Sequence, residues 1–187
     1  MLFPTFAFGL FFLATFVIGW GVRRHNEWRK LLLLVLSWVF YGAWDWAFVP
    51  LLMVSALGNW LCAWLVGRLP HDRPAARLAL RAGVLANLGL LVFYKYWAFL
   101  LEPSVAALQA LGLTHPALPR AIVLPVGVSF FTFQGMSYLI DVWRGRVRPA
   151  RLLDLLLLMS FFAHLVAGPI VRASDLVPQF ERRARIT

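Results

Sequence analysis

From Leu2 to Val22 the chain carries no charged side chain, and the 37 residues from Leu31 to Gly67 carry one, Asp45. Such runs cannot be buried in a water-facing globule of this size, because a helix apolar on every side needs apolar surroundings on every side. The composition agrees: 61% of residues are hydrophobic and 14% charged, against about 45–50% and about 25% in soluble domains. The expected fold is all-α, a polytopic membrane helical bundle. The same numbers exclude a disordered chain, and the single Cys62 excludes a disulfide-built secreted scaffold.

The first run is 21 residues, which at about 1.5 Å per residue matches a hydrocarbon core of roughly 30 Å. It opens neutral at Met1, Leu2, Phe3 and Pro4 and closes basic at Arg23 and Arg24, the reverse of a cleaved signal peptide, so retention is expected. The second run is about 55 Å as one helix, too long for one crossing and slightly short for two. Trp44, Asp45 and Trp46 fit a hairpin tip at the head groups, since Trp favours the interface and a carboxylate avoids the bilayer centre. Continuing in this way, helices are expected at about 2–22, 28–44, 46–67, 78–101, 121–143 and 152–171. These six transmembrane or re-entrant segments form one membrane domain, with no internal repeat and no linker.

Charge orients them. The formal net charge is +10, and the cations cluster between apolar runs: four in 23–30, three in 68–77, four in 144–151, but one in 102–120. By the positive-inside rule the first three segments are cytoplasmic, and the N-terminus, the Asp45 turn and 102–120 are outside. This pattern favours topology over nucleic-acid binding, and no nucleic-acid partner is expected. Six full crossings would leave the net basic segment 172–187 outside. A break at Gly168 and Pro169, with the sixth helix re-entering, resolves the conflict.

Polar groups inside spans invite a functional question. Lys95, between Tyr94 and Tyr96, is expected to snorkel to the interface. Gln134, Ser137, Tyr138 and Asp141 follow the i, i+3, i+4, i+7 spacing of one helix face, which lipid cannot satisfy. They are candidates for the lining of a tunnel or channel. Equally, they could hold the bundle together, with Asp141 pairing Arg144 or Arg146. Pro125 and Gly127 loosen the start of that helix. His164 lies mid-run, where it could act as a base or donate to a neighbouring carbonyl. Motifs for phosphate loops, HExxH, CxxC and the nucleophile elbow are absent, as is the His-x4-Asp signature of another acyltransferase class. No metal site is expected.

Several strings, in order, resemble the membrane-bound O-acyltransferase family in its alginate O-acetyltransferase-like branch: SWVFYGAW at Ser37–Trp44, NLGLLVFYKY at Asn87–Tyr96, LPVGVSFFTFQ at Leu124–Gln134, SYLIDVWRG at Ser137–Gly145, AGPIVR at Ala167–Arg172 and LVPQF at Leu176–Phe180. The long string from 124 to 145, followed by Gly-Pro-Ile-Val-Arg, is the specific part. The resemblance implies a multi-pass bacterial inner-membrane enzyme, an acyltransferase for groups other than amino-acyl. It would move an acyl group, usually acetyl, from a cytoplasmic donor such as a thioester to a hydroxyl of an extracytoplasmic polysaccharide such as alginate. The donor is a co-substrate, and no bound cofactor is expected. Partners implied are membrane lipid, the polysaccharide acceptor, and periplasmic or membrane proteins of a polysaccharide-modifying system.

Family members are much longer, and the segment with their essential histidine lies beyond the position of Thr187. The chain therefore resembles an N-terminal portion, expected to be inactive alone, and the catalytic role does not transfer to His164. Ala163 stands where the family pattern has proline. A non-enzymatic membrane scaffold or transporter subunit, with the polar stripe binding a partner helix, is the alternative.

Overall fold

A computed structural model describes residues 6–70, 72–111, 123–165 and 171–181. Its elements, in chain order, are α1 (Phe6–Gly21), α2 (Asn26–Gly42), a 3₁₀ turn (Trp46–Phe48), α3 (Val49–Arg68), α4 (Pro74–Leu91), a π turn (Val92–Tyr96), α5 (Trp97–Ala110), α6 (Val128–Trp143), α7 (Leu152–Ser160), α8 (Phe162–Leu165) and α9 (Ala173–Glu181). There is no strand among the described residues, so the protein is an all-α membrane bundle. Trp46–Arg68 and Pro74–Tyr96 are each 23 residues, long and apolar enough to cross a bilayer.

The Asp45 turn forms for the reason its sequence suggests. Asp45 Oδ1 accepts from the Ala47 N–H at 2.9 Å, and Pro50 occupies the first turn of α3, where no N–H is needed. Two packed units follow. In one, α3, α4 and α6 pack on one another; in the other, α2 and α3 hold α7, and α8 and α9 lie against α2 and α7. Small residues set the close approach in the first unit. A side chain at Gly135 would lie 2.6 Å from the Asn59 amide, and one at Gly83 would lie 2.6 Å from Leu139.

The basic segments gather at one end. Gly67 lies against Pro149, which joins the α3–α4 turn to the 144–151 loop, and Arg151 Nη1 reaches Glu27 Oε1 at 3.1 Å, which joins that loop to the start of α2. At the other end Tyr41 donates its hydroxyl proton to the Val126 carbonyl at 2.9 Å, and Phe48 packs against Tyr94. The charge alternation in the sequence is thus a separation in space.

Three boundaries differ from expectation. The fourth helix does not end at Leu101 but continues through the π turn and α5 to Ala110, despite Pro103. The fifth begins at Val128 because Gly127, at φ +74°, is left-handed and stops helix propagation towards Pro125; residues 121 and 122 lie outside the described residues. The sixth is already broken at Phe161, whose ψ of 115° is extended, ahead of the anticipated break at Gly168 and Pro169, which lie outside the described residues. Beyond it, the unanticipated α9 returns. Asn26 Nδ2 donates to the Phe180 carbonyl at 2.8 Å and to that of Glu181 at 3.2 Å, which caps α9 with the first residue of α2. Arg151 and Glu181 therefore both lie at the basic end.

Candidate functional site

A helix broken inside a bundle leaves its last carbonyls and the next N–H groups without intrahelical partners, and lipid offers none. Side chains supply them here. Ser37 Oγ accepts from the Phe162 N–H at 3.2 Å, and Trp38 Nε1 donates to Ser160 Oγ at 3.2 Å. His164 Nε2 lies 3.0 Å from the carbonyl of Leu158 in the last turn of α7. A carbonyl can only accept, so Nε2 carries the proton and Nδ1 is left as the acceptor of the neutral ring.

His164 is 6% exposed and Gln134 is 2% exposed. Gln134 Nε2 is 3.4 Å from His164 Nε2 and donates to the Val171 carbonyl at 3.2 Å. With the amide held that way, Gln134 Oε1 is buried and has no hydrogen-bond partner. Phe130 and Phe161 pack on the imidazole. This places a polar junction at the meeting of α6, α8 and Val171, with one unsatisfied acceptor and one ring nitrogen able to accept.

The remaining residues of the stripe go elsewhere. The Tyr138 hydroxyl accepts from the Ala150 N–H at 2.9 Å. Asp141 is 6% exposed and lies 3.6 Å from Arg146 Nη1, while its backbone carbonyl accepts from the Arg146 N–H at 2.9 Å. Ser137 is half-buried. So Gln134 meets His164, while Tyr138 and Asp141 brace the 144–151 loop. Among the described residues, grooves between helices lie elsewhere: one of about 230 Å³ between α3 and α4 at Asn59 and Asn87, one of about 260 Å³ between α1 and α2, and one of about 330 Å³ along the π turn. Lys95, in that turn, is exposed with its ammonium 5.7 Å from the Tyr96 ring centroid. Among the described residues no group of three or more His, Cys, Asp or Glu could hold a metal.

Two buried polar pairs escaped the sequence reading. Lys30 Nζ stands 2.6 Å from Asp154 Oδ1, with side-chain exposures of 3% and 0%. The contact is ionic rather than a directed hydrogen bond, and Asp154 Oδ2 meets no donor. Glu27 joins them, 3.3 Å from Lys30 Nζ. The second is Asn59 with Asn87, which exchange amide hydrogen bonds at 2.8 and 3.3 Å while each donates to a carbonyl on its own helix. A signal existed for both: a charge within one turn of an apolar run, and an amide inside one.

An all-helical membrane bundle with a buried histidine–glutamine junction at a broken helix is the class these features define. Comparison with known proteins sharpens it. The chain is 34% identical over 98% of its length to "Probable alginate O-acetylase AlgI" of Pseudomonas syringae pv. tomato, and 35% identical over 98% to the protein of that name in Pseudomonas aeruginosa. It is 31% identical over 95% to "Peptidoglycan O-acetyltransferase" of Helicobacter pylori. It covers 35%, 35% and 38% of those proteins, so it spans about a third of the length of these curated relatives. No family model and no solved structure matches it. The chain is thus a homologue of proteins named alginate O-acetylase over the third of their length that it spans.

Proposed function

We propose that this chain is part of a membrane-bound O-acetyltransferase that transfers acetyl from a cytoplasmic thioester-type donor to a hydroxyl of an extracytoplasmic polysaccharide, alginate being the first candidate. The observation that carries this is the similarity to alginate O-acetylases along 98% of the chain. The basic end is assigned to the cytoplasm of a bacterial inner membrane, so that the N-terminus and the Asp45 turn face outward. A reporter fused after Arg148 then reports cytoplasm and one after Thr114 the outside.

In this reading the re-entrant segment is what the geometry contributes. Donor and acceptor are polar and on opposite sides, so their route must be lined by protein. Non-helical backbone at membrane depth is tolerated where protein or a water-filled cavity covers it. Gln134 and His164 sit at that backbone. They are positioning residues that hold α7 and α8 along the route, while the base acting on the acceptor hydroxyl is the family histidine on chain outside these 187 residues. Tyr138 and Asp141 fix the loop from which α7 starts, and Ser137 borders them.

A chimera tests this. Substituting these 187 residues for the matching third of a Pseudomonas alginate O-acetylase should preserve labelled acetyl transfer to alginate in membranes, and the 187 residues alone should transfer none. A chimera that assembles at normal levels but leaves alginate unacetylated would overturn the reading. Within an active chimera, His164→Gln retains a donor for Leu158 and should keep most activity; a loss of about a hundredfold or more would instead make His164 the general base. The scaffold or transporter alternative has no observation in its favour.

A further inference from the structure

The groove between α1 and α2 has a volume of about 260 Å³ and is lined by Phe12, Thr15, Phe16, Gly19, Trp20, Arg29, Leu33, Phe161 and Phe162. Small residues on a membrane helix normally let a neighbour approach closely. Here they do the opposite. Gly19 is buried, yet a side chain built on it would meet nothing within 4 Å. Thr15 is 4% exposed and its Oγ1 has no hydrogen-bond partner, although a helical threonine ordinarily bonds back to a carbonyl of the preceding turn. The groove is apolar apart from the Thr15 hydroxyl and Arg29, and packed helices seldom leave a gap this wide between them, so the space is shaped for an occupant.

Charge identifies it. At the Trp20 end, Arg29 lines the groove, held in place by Nη2 donating to Asn26 Oδ1 at 2.8 Å and to the Phe180 carbonyl at 3.5 Å. Arg23 stacks 4.5 Å from the Trp20 ring centroid, and Arg24 follows. Away from that end the walls are phenyl rings, with Phe12 against Phe162. We propose that this groove holds one molecule of an anionic phospholipid, its phosphate against Arg29, an ester carbonyl accepting from Thr15 Oγ, and an acyl chain along Phe12, Phe16 and Phe162. A guanidinium suits a phosphate through its forked donors, and Arg23, stacked on Trp20 at the same end, strengthens the field. The occupant is structural lipid, distinct from donor and acceptor of the transfer reaction.

The test uses the chimera described above, with these 187 residues in place of the matching third of a Pseudomonas alginate O-acetylase, in nanodiscs of phosphatidylcholine doped with phosphatidylglycerol, released into the gas phase for native mass spectrometry. One phosphatidylglycerol should be retained per chain in preference to phosphatidylcholine. Arg29→Gln should weaken that preference by about tenfold, the loss of one charge-assisted contact, while Arg29→Lys retains part of it. Thr15→Val, which keeps shape and removes the hydroxyl, should weaken retention of both lipids. Gly19→Leu should expel the lipid, and if that variant does not fold, the Arg29 and Thr15 variants decide. A benzophenone amino acid at Phe12 should crosslink lipid. Equal retention of the two lipids, an unchanged preference in Arg29→Gln, or crosslinking from position 12 to polypeptide, which would make the occupant a helix, each overturns the proposal.

Discussion

The α3–α4–α6 unit and the α2–α7–α8–α9 unit bury their backbones in different ways. In the first, the helices run unbroken through their packed length and satisfy their own backbone groups, so the interface needs little more than glycines and one amide pair, Asn59 with Asn87. In the second, the helix from Leu152 is interrupted at Phe161 and chain returns to the end it came from, so the interface uses Ser37, Trp38, His164, Gln134 and the Lys30–Asp154 pair. Buried polar residues in a membrane bundle are thus, first of all, the requirement of broken helices. The interrupted unit is also the one that can border a route through lipid.

The contrast predicts a ranking of damage. Lys30→Met should cost the most, about 3–5 kcal/mol, because Asp154 is then a buried charge without a partner. Thermal unfolding in mild detergent measures this, and Lys30→Met with Asp154→Leu should regain most of the loss; a double variant as unstable as the single would mean the pair is not what joins α2 to α7. His164→Leu should follow at about 1–3 kcal/mol, the cost of leaving the Leu158 carbonyl unpaired, with His164→Gln milder in the same melts. Gly127→Ala should cost about 1–2 kcal/mol from its left-handed backbone, and more from its added carbon, which would lie 2.6 Å from the Leu165 carbonyl. Asn59→Leu in the unbroken unit should cost least, about 0.6 kcal/mol, as interhelical side-chain hydrogen bonds in membranes commonly do. If the Asn59 variant proved as damaging as Lys30→Met, the division into two kinds of packing would fail.

Much of the architecture was legible because membrane physics leaves few choices. Uncharged runs and clustered cations point to helices, to a turn at Asp45 and to the gathering of basic segments, while the break expected at Gly168 and Pro169 lies outside the described residues. The position of the break was not legible. Phe161 lies in an unremarkable apolar run, and the backbone around it is held by Ser37 and Trp38, residues distant in sequence whose approach no periodicity reveals. The polar stripe was half informative: spacing put Gln134, Ser137, Tyr138 and Asp141 on one face, but what each meets depends on a loop and a broken helix that fold over that face. Lys30 and Asp154 were overlooked because each lies at the margin of an apolar run, where a charge ordinarily reaches water; here each margin is covered by the other helix.

The π turn at Val92–Tyr96 accommodates a residue more than an α-helix would, and one residue corresponds to about 100° of rotation. Past the turn the α4 face that carries Ala79, Gly83 and Asn87 towards α3 and α6 is rotated out of register, and Phe99 and Leu100 of α5 point outward at 74% and 48% exposure. Deleting one residue within that turn would rewind it and swing the distal arm by more than a quarter-circle, altering what the arm shows to its surroundings and resetting the Phe48–Tyr94 contact that ties the turn to the bundle below.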